Sequence, residues 1–275
     1  MRRIAEEVRA PWSRGGPPME SVREIGSPVR MRFYDPDPLP VKPALVYLHG
    51  GGWTLFSLDT HDRVMREYAA RAGIVVIGVD YALSPEAKYP VALDQIVAAV
   101  EFLTAEGERL GIDPRRVAIG GDSAGANLAL AAALRLRHRQ AIRAVVLNYG
   151  VFARRSSAEA EERFGGEGNM LTASEMDAFW RNYLRDENDA GDPFACPIGA
   201  DLRGLPPVLL VAAECDLLTE QSIELERRLR AANVPVRFDL HRGAAHSFLE
   251  AVSIAPLAAR AFDATAAWLR AVLPA

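Results

Sequence analysis

Residues 117–136, with the sequence VAIGGDSAGANLALAAALRL, are the most informative part of the chain. It begins with a short apolar run, Val117–Ile119, of the kind that a buried parallel strand shows. It ends with an alanine- and leucine-rich segment, Asn127–Leu134, whose residues favour a helix. Between them stands Gly121–Gly125 (GDSAG), and the order strand, G-x-S-x-G, helix is that of a nucleophile elbow. The stretch therefore predicts that Ser123 lies on a sharp turn with its hydroxyl exposed and a helix N-terminus beneath it.

Length and composition describe an ordinary globular protein. The 275 residues are 49% hydrophobic and 25% charged, which suits one large α/β domain with a sizeable core. A net charge of −4 gives no reason to expect nucleic acid as a partner. No signal peptide is visible and no apolar run could cross a bilayer, so a cytoplasmic protein without a membrane partner is expected. Cys196 and Cys215 are too few for a disulfide framework and are expected to be reduced and buried.

The order of elements predicts a mainly parallel sheet within one domain, residues 1–275. Gly15–Pro18 separates a short amphipathic helix from an alternating segment, Val22–Tyr34, that is typical of a β-hairpin. From there on strands alternate with helices of ten residues or more, as parallel strands require. The other predicted strands are Ala44–Leu48, Ile74–Val79, Val117–Ile119, Ala144–Leu147, Val208–Ala213 and Val236–Leu240. The predicted helices flanking them are His61–Ala72, Val91–Glu106, one beginning near Thr219, and Ile254–Val272.

Residues 152–200 interrupt this alternation. Thr172–Glu175 has the form of a capping box and predicts a helix that carries Phe179 and Trp180. The insertion follows a strand whose end should lie beside the elbow, and its aromatic residues favour a lid over a solvated excursion. Together with residues 1–20 it is expected to form a small helical cap.

A run of three glycines follows the strand Ala44–Leu48, in the sequence His49-Gly50-Gly51-Gly52. Without side chains, backbone N–H groups can approach a ligand closely. In hydrolases with a nucleophile elbow such a loop donates to the oxyanion, so Gly51 and Gly52 are candidate donors. His49 itself is expected to be a hydrogen-bonded structural residue.

A serine nucleophile needs a general base, and hydrolases with an elbow order the residues as serine, acid, histidine. Of the five histidines, only His241 and His246 come late enough in the chain. We prefer His246, because it lies in the loop beyond the strand that His241 ends.

Two acids, Glu214 and Asp216, follow the strand Val208–Ala213. We prefer Asp216, because it lies in the loop and is free to reach across, whereas Glu214 abuts the strand. No metal-ligand spacing such as H-E-x-x-H is present, so neither a metal nor another cofactor is expected.

With these motifs the chain resembles the bacterial hormone-sensitive-lipase-like family of α/β-hydrolases, and more closely its acetyl esterase branch. The resemblance covers residues from about 44 to 250 and rests on His49–Gly52, Asp80-Tyr81 with Ser84–Glu86, Gly121–Gly125, Glu214–Asp216 and the His246 loop. The chain departs from the family pattern at Ala82, Leu217 and Ser247, where arginine, proline and glycine are common.

The resemblance implies an α/β-hydrolase fold, with a mainly parallel central sheet flanked by helices and a small helical cap. It implies a serine carboxylesterase that works through an acyl-enzyme intermediate. Six residues would carry that chemistry: Ser123, Asp216 and His246 as the triad, and Gly51, Gly52 and Ala124 as oxyanion donors.

Bulky residues near the predicted site indicate a small substrate pocket, suited to acetyl to butyryl esters. The expected lining residues are Trp53, Phe56, Phe179, Trp180 and Phe248. Two alternatives stay open: an arylformamidase-like amide hydrolase, and a ligand-binding module on a hydrolase scaffold, which a broken triad would favour. The expected partner is a small ester molecule, and a homo-oligomer is left open.

Overall fold

Eight strands in the described part of the chain form one sheet. The computed structural model describes residues 2–37 and 41–274. The strands are β1 (Ser21–Ile25), β2 (Met31–Asp35), β3 (Lys42–Leu48), β4 (Val75–Val79), β5 (Ile112–Asp122), β6 (Ala144–Asn148), β7 (Val208–Cys215) and β8 (Val236–Ala245). Their order is β1-β2-β4-β3-β5-β6-β7-β8. The pairs β1–β2 and β2–β4 are antiparallel and the others are parallel, which confirms the predicted hairpin and mainly parallel sheet.

Helices cover both faces of this sheet. They are α1 (Arg2–Ser13), α2 (Asp62–Ala72), α3 (Val91–Glu106), α4 (Ala124–Leu136), α5 (Ala158–Phe164), α6 (Ala173–Tyr183), α7 (Thr219–Ala231) and α8 (Pro256–Val272). Alternate residues of β3 face two separate cores, as the two-residue period of a strand requires. Val46 packs in the core with α3, α4 and α7, and Leu45 packs in the core with α2 and α8. None of these helices is long and apolar enough to span a membrane.

Several local predictions differ from the structure. The strand β5 runs from Ile112 to Asp122, whereas only Val117–Ile119 was predicted. The strand β8 runs to Ala245, five residues beyond its predicted end. It lies at the sheet edge and alternates between half-buried and exposed residues, so its apolar signal ends early. The charged segment Ala158–Phe164 forms the helix α5, which was not predicted because the segment has no apolar periodicity. Cys215 is exposed, not buried, because it stands at the end of β7 beyond the covered part of the sheet.

Candidate active site

The carboxyl ends of four parallel strands meet at one edge of the sheet. There β3 leads into His49–Gly52, β5 into Ser123, β7 into Asp216 and β8 into His246. In open α/β sheets this edge is where ligands bind, because the loops that follow parallel strands converge there. Residues far apart in the sequence are therefore brought within contact distance.

Ser123 occupies a strained turn between β5 and α4. Its φ of 52° and ψ of −117° lie outside the usual regions for a residue with a side chain, a strain of about 1–3 kcal/mol. Its backbone N–H donates to the Asn148 carbonyl at 2.9 Å, which ties the turn to β6. A Cβ on Gly125 would lie 1.9 Å from the Leu48 carbonyl oxygen, so only glycine permits this approach of α4 to β3. The serine is 7% exposed and lies in a cleft, less open than predicted.

The structure brings Ser123, His246 and Asp216 together. His246 Nε2 lies 3.0 Å from Ser123 Oγ, and His246 Nδ1 lies 2.7 Å from Asp216 Oδ2. A carboxylate only accepts, so Nδ1 carries the hydrogen and Nε2 presents a lone pair to the hydroxyl. The other Asp216 oxygen accepts from the backbone N–H of Leu218 at 3.0 Å, which fixes the carboxylate. This arrangement can remove a proton from the serine.

Electrostatics favour a proton on His246. Burial by itself would lower the pKa of this histidine, but the Asp216 charge and its hydrogen bond outweigh burial and raise the pKa above 6.5. The imidazolium that forms when Ser123 loses its proton is therefore stabilised.

The two competing residues lie elsewhere. His241 is in β8, where its ring packs 5.1 Å from the Phe248 ring and its Nε2 has no hydrogen-bond partner among the described residues. Glu214 is exposed and accepts from the Gly243 backbone N–H at 2.8 Å. Neither side chain contacts Ser123.

The glycine loop leaves no room for side chains. A Cβ on Gly52 would lie 2.2 Å from the Phe179 ring, and one on Gly51 would lie 2.4 Å from the Leu55 carbonyl oxygen. Both glycines have positive φ, 110° for Gly51 and 58° for Gly52, and both line the cleft with Ser123. Ala124 is the first residue of α4, where backbone N–H groups lack acceptors within the helix.

His49 has the structural environment that the sequence predicted for it. Its Nδ1 donates to the Gly50 carbonyl at 2.7 Å, and its ring stacks on Tyr81 with centroids 4.5 Å apart. Burial and the neighbouring His61 lower the pKa of His49 to about 4. The ring is therefore neutral at neutral pH and braces the loop.

A cleft of about 230 Å³ opens above Ser123. Its lining consists of Ala5, Val8, Arg9, Gly51, Gly52, Leu55, Phe56, Ser123, Met170, Leu171, Glu175, Phe179, His246 and Ser247. Residues of α1 and of the 152–200 segment thus both contribute to the lining of the cleft. Phe56 and Phe179 are among the lining residues, as the sequence suggested.

Three aromatic residues expected in the lining lie outside it. Trp53 is buried and stacks on Tyr183 at 4.2 Å, with Trp180 packed against both rings. Because Trp53 follows the glycine loop and the other two rings belong to α6, this packing holds α6 against the loop. Phe248 packs against Tyr149 with centroids 5.7 Å apart. Their side chains point into the protein, a direction that residue type and position in the chain do not reveal.

Sequence reasoning missed a buried polar group beside the elbow. Polar atoms of His61, Asp122 and Glu250 lie within 4.8 Å of one another, a spacing that could hold a metal ion. Arg9 supplies a cation at this place, with Nη1 3.0 Å from Glu250 Oε2. One signal was available: Asp122 stands inside the elbow motif, and a buried acid requires donors.

Known proteins resemble the chain in sequence and in fold. A family model described as alpha/beta hydrolase fold matches residues 45–250. The chain belongs to the hormone-sensitive-lipase-like family of α/β-hydrolases. The predicted family and fold are therefore confirmed.

Esterases are among the proteins that the chain resembles. It is 38% identical over 226 residues to the acetyl esterases of Salmonella paratyphi B and Salmonella agona, covering 80% of this chain and 69% of theirs. It matches a thermostable carboxylesterase cloned from a metagenomic library with a TM-score of 0.96, at 32% identity over 100% of this chain and 97% of that one. It matches a hyperthermophilic esterase from the archaeon Pyrobaculum calidifontis with a TM-score of 0.95, at 33% identity over 100% of this chain and 93% of that one. The chain is a carboxylic ester hydrolase.

Proposed function

We propose that this hydrolase is a serine carboxylesterase that cleaves acetyl to butyryl esters through an acyl-enzyme intermediate. The observation that carries the proposal is the position of the His246 ring, 3.0 Å from Ser123 Oγ and 2.7 Å from Asp216 Oδ2. A base that contacts both a serine and an orienting acid is the geometry that activates a serine hydroxyl.

Acylation follows from these contacts. Ser123 Oγ attacks the ester carbonyl carbon while His246 Nε2 accepts the hydroxyl proton, and the C=O π electrons move onto the carbonyl oxygen. Asp216 keeps the imidazolium oriented. When the tetrahedral intermediate collapses, the bond to the alcohol oxygen breaks and His246 gives that oxygen the proton. The acyl group stays on Ser123.

Deacylation uses the same groups in reverse roles. His246 takes a proton from water, the resulting nucleophile attacks the acyl carbon, and the bond to Ser123 Oγ breaks as the proton returns to it. In both steps the backbone N–H groups of Gly51, Gly52 and Ala124 are the proposed donors to the oxyanion. Donors held in advance stabilise developing charge without reorganisation at the moment of reaction.

The cap supports the proposed preference for short acyl chains. A cleft of about 230 Å³, with Phe56 and Phe179 in its lining, has room for a small ester. We propose that residues 1–20 and 152–200 act as cap segments on a single domain, because α1 and α6 both contribute to this lining. Each methylene that fits adds about 0.8 kcal/mol of binding, and a longer chain must clash or stay in water.

A series of p-nitrophenyl esters from acetyl to decanoyl, assayed below the micelle threshold, tests the proposal. We expect kcat/KM to be highest between acetyl and butyryl and to drop steeply beyond about eight carbons. Highest efficiency on decanoyl esters would refute the small pocket. Aryl formamides belong in the same panel, because the same residues could cleave an amide, and faster turnover of these would favour the amidase alternative.

A further inference from the structure

Four ionisable side chains form a buried row from the cap helix to the nucleophile elbow. Arg9 Nη1 lies 3.0 Å from Glu250 Oε2, and His61 Nε2 lies 3.4 Å from Asp122 Oδ2. Between these pairs, polar atoms of Glu250, His61 and Asp122 are within 4.8 Å of one another. Exposure of these side chains is 13% for Arg9 and no more than 4% for the other three. We call this set the charge row.

Hydrogen bonding assigns the charge of the central histidine. His61 Nε2 faces the Asp122 carboxylate, which accepts only. His61 Nδ1 lies 3.0 Å from Thr60 Oγ1, whose own hydrogen goes to the Ser57 carbonyl at 2.8 Å. Both ring nitrogens therefore donate, which requires the imidazolium form. With His61 protonated, the charge row alternates positive, negative, positive, negative.

The pKa directions of His61 and Asp122 agree with this assignment. Burial by itself would lower the pKa of His61, but the Asp122 charge and hydrogen bond raise it above 6.5. Burial would raise the pKa of Asp122, yet the His61 charge and the donors around the carboxylate hold it below 3.8. For Glu250, in contrast, burial outweighs the opposing charges of His61 and Arg9 and raises the pKa above 4.5, which disfavours the ionised form. Each member depends on its neighbours, because an isolated buried charge is costly.

One end of the charge row holds the oxyanion loop. Asp122 Oδ1 accepts from the Gly50 backbone N–H at 3.1 Å and from the Tyr47 hydroxyl at 2.9 Å. A Cβ on Gly50 would lie 2.3 Å from Asp122 Oδ2, so carboxylate and loop are in tight contact. Gly50 directly precedes Gly51 and Gly52. A shift of the Asp122 carboxylate would therefore displace both proposed donors.

The other end of the charge row is on a helix with few other contacts. The helix α1 has no buried residue, and Ile4 and Val8 are among its exposed side chains. The guanidinium of Arg9 lies over the rings of Trp12 and Phe56, at 5.3 and 5.1 Å, and forms an ion pair with Glu250 in which Nη1 makes no hydrogen bond among the described residues. A second tether lies at Arg2, which donates to the Thr54 and Ser84 carbonyls at 2.7 Å and contacts no member of the charge row.

We propose that Arg9 is a positioning residue for the oxyanion loop, acting through Glu250, His61 and Asp122. Docking of the cap helix over the cleft then completes the charge row and fixes Gly50–Gly52 in the geometry that the transition state requires. The proposal rests on the esterase function above. A misplacement of catalytic groups by about 1 Å can cost about a hundredfold in rate, so a cap contact far from the reacting atoms can control turnover.

Four variants test the proposal in the full-length protein. Glu250→Gln is decisive, because Glu250 does not line the cleft and glutamine keeps its shape. We expect kcat on p-nitrophenyl acetate to fall about tenfold in Glu250→Gln and Arg9→Gln, whereas Arg9→Lys, which keeps the positive charge, stays within about threefold of wild type. Arg2→Gln loosens the same helix without touching the charge row, and its kcat should stay within about twofold.

Two readouts separate positioning from simple loss of the cap. The Ki of a methyl trifluoromethyl ketone, whose hemiketal oxyanion requires the donors, should rise by the factor by which kcat/KM falls. The Gly50 amide resonance should move in Glu250→Gln and Arg9→Gln but not in Arg2→Gln, and this readout needs no turnover. Equal effects of Arg2→Gln and Arg9→Gln, or an unchanged Gly50 resonance in Glu250→Gln, would overturn the proposal. A wild-type protein without esterase activity would instead refute the proposed function, and the resonance would still decide whether the charge row holds the loop.

Discussion

The His246 ring meets the Asp216 carboxylate at 2.7 Å, although the two residues are 30 positions apart and follow different strands. This contact decides which ring nitrogen is available to Ser123, because it places the hydrogen on Nδ1. The tautomer of the proposed base is thus set from the side of the ring that faces away from the serine. Histidine orientation in such sites commonly depends on a partner of this kind.

Replacement of the two late histidines should give opposite results. We expect His246→Ala to lose at least about a thousandfold in kcat, because it removes the group that accepts the Ser123 proton. His241→Ala should stay within about twofold, since that ring has no contact with the serine. Ser123→Ala serves as the inactive reference, and circular dichroism checks the fold of each variant. The assignment of the base fails if His241→Ala is the inactive protein.

The pH profile should show loss of activity on the acid side. His246 must be neutral to accept a proton, so kcat/KM falls as the pH drops through its pKa. The Asp216 charge raises that pKa above the ordinary 6.5, so we expect the inflection above 6.5. Measurement of kcat/KM from pH 5 to 9 in a buffer of constant ionic strength provides the check. A flat profile down to pH 5 would contradict a histidine base.

Gly52→Ala should lower activity through the loop. The new Cβ would lie 2.2 Å from the Phe179 ring, at a φ of 58° that alanine disfavours by about 1 kcal/mol. Because the loop must shift, we expect kcat/KM to fall about a hundredfold. Gly204→Ala is the matched control, with a φ of 78° and no atom within 4 Å of its Cβ, so it should cost stability alone. Equal activity of the two variants would exclude a role for the close approach at Gly52.

Phe179→Ala should move the acyl preference towards longer chains. Its ring lines the cleft, so truncation opens volume where we propose that the acyl chain binds. We expect the best p-nitrophenyl ester to become about two to four carbons longer. The neighbouring Trp180 lies outside the lining, and Trp180→Ala should leave the preference unchanged while costing about 3–5 kcal/mol of stability. An unchanged preference in Phe179→Ala would place the acyl chain elsewhere.

Local signals in the sequence were enough for the central fold. The elbow, the glycine loop and the strands around them have apolar runs and turn residues within a few positions of one another, so these elements could be located, although β5 is longer at both ends than predicted. The full length of the edge strand β8 and the presence of the helix α5 could not be predicted, because exposed elements contain many polar residues and show no clear apolar pattern. For the histidine and the acid, chain order left two candidates each, and position in the loop beyond the strand selected His246, which contacts Ser123, and Asp216, which contacts His246.

Side-chain direction and long-range pairing set the limit of the prediction. Trp53 and Phe56 stand three positions apart after the same loop, yet one is in the core and the other lines the cleft. Nothing near Arg9 in the sequence indicates that its guanidinium meets Glu250, more than two hundred residues later. Such contacts depend on how a cap helix docks against distant loops, and this information is absent from local patterns.

The helix α1 lines part of the cleft, and this affects where a tag or a support can be attached to the protein. Ala5, Val8 and Arg9 line the cleft, so a purification tag or fusion partner joined ahead of Arg2 would lie directly before α1. At the other end of the chain, the Pro274 carbonyl accepts a hydrogen bond from Arg116 on β5. Arg116 precedes Ser123 by seven residues, a separation of about 23 Å along an extended strand. Kinetic work and immobilisation on a support are therefore better served by attachment after α8.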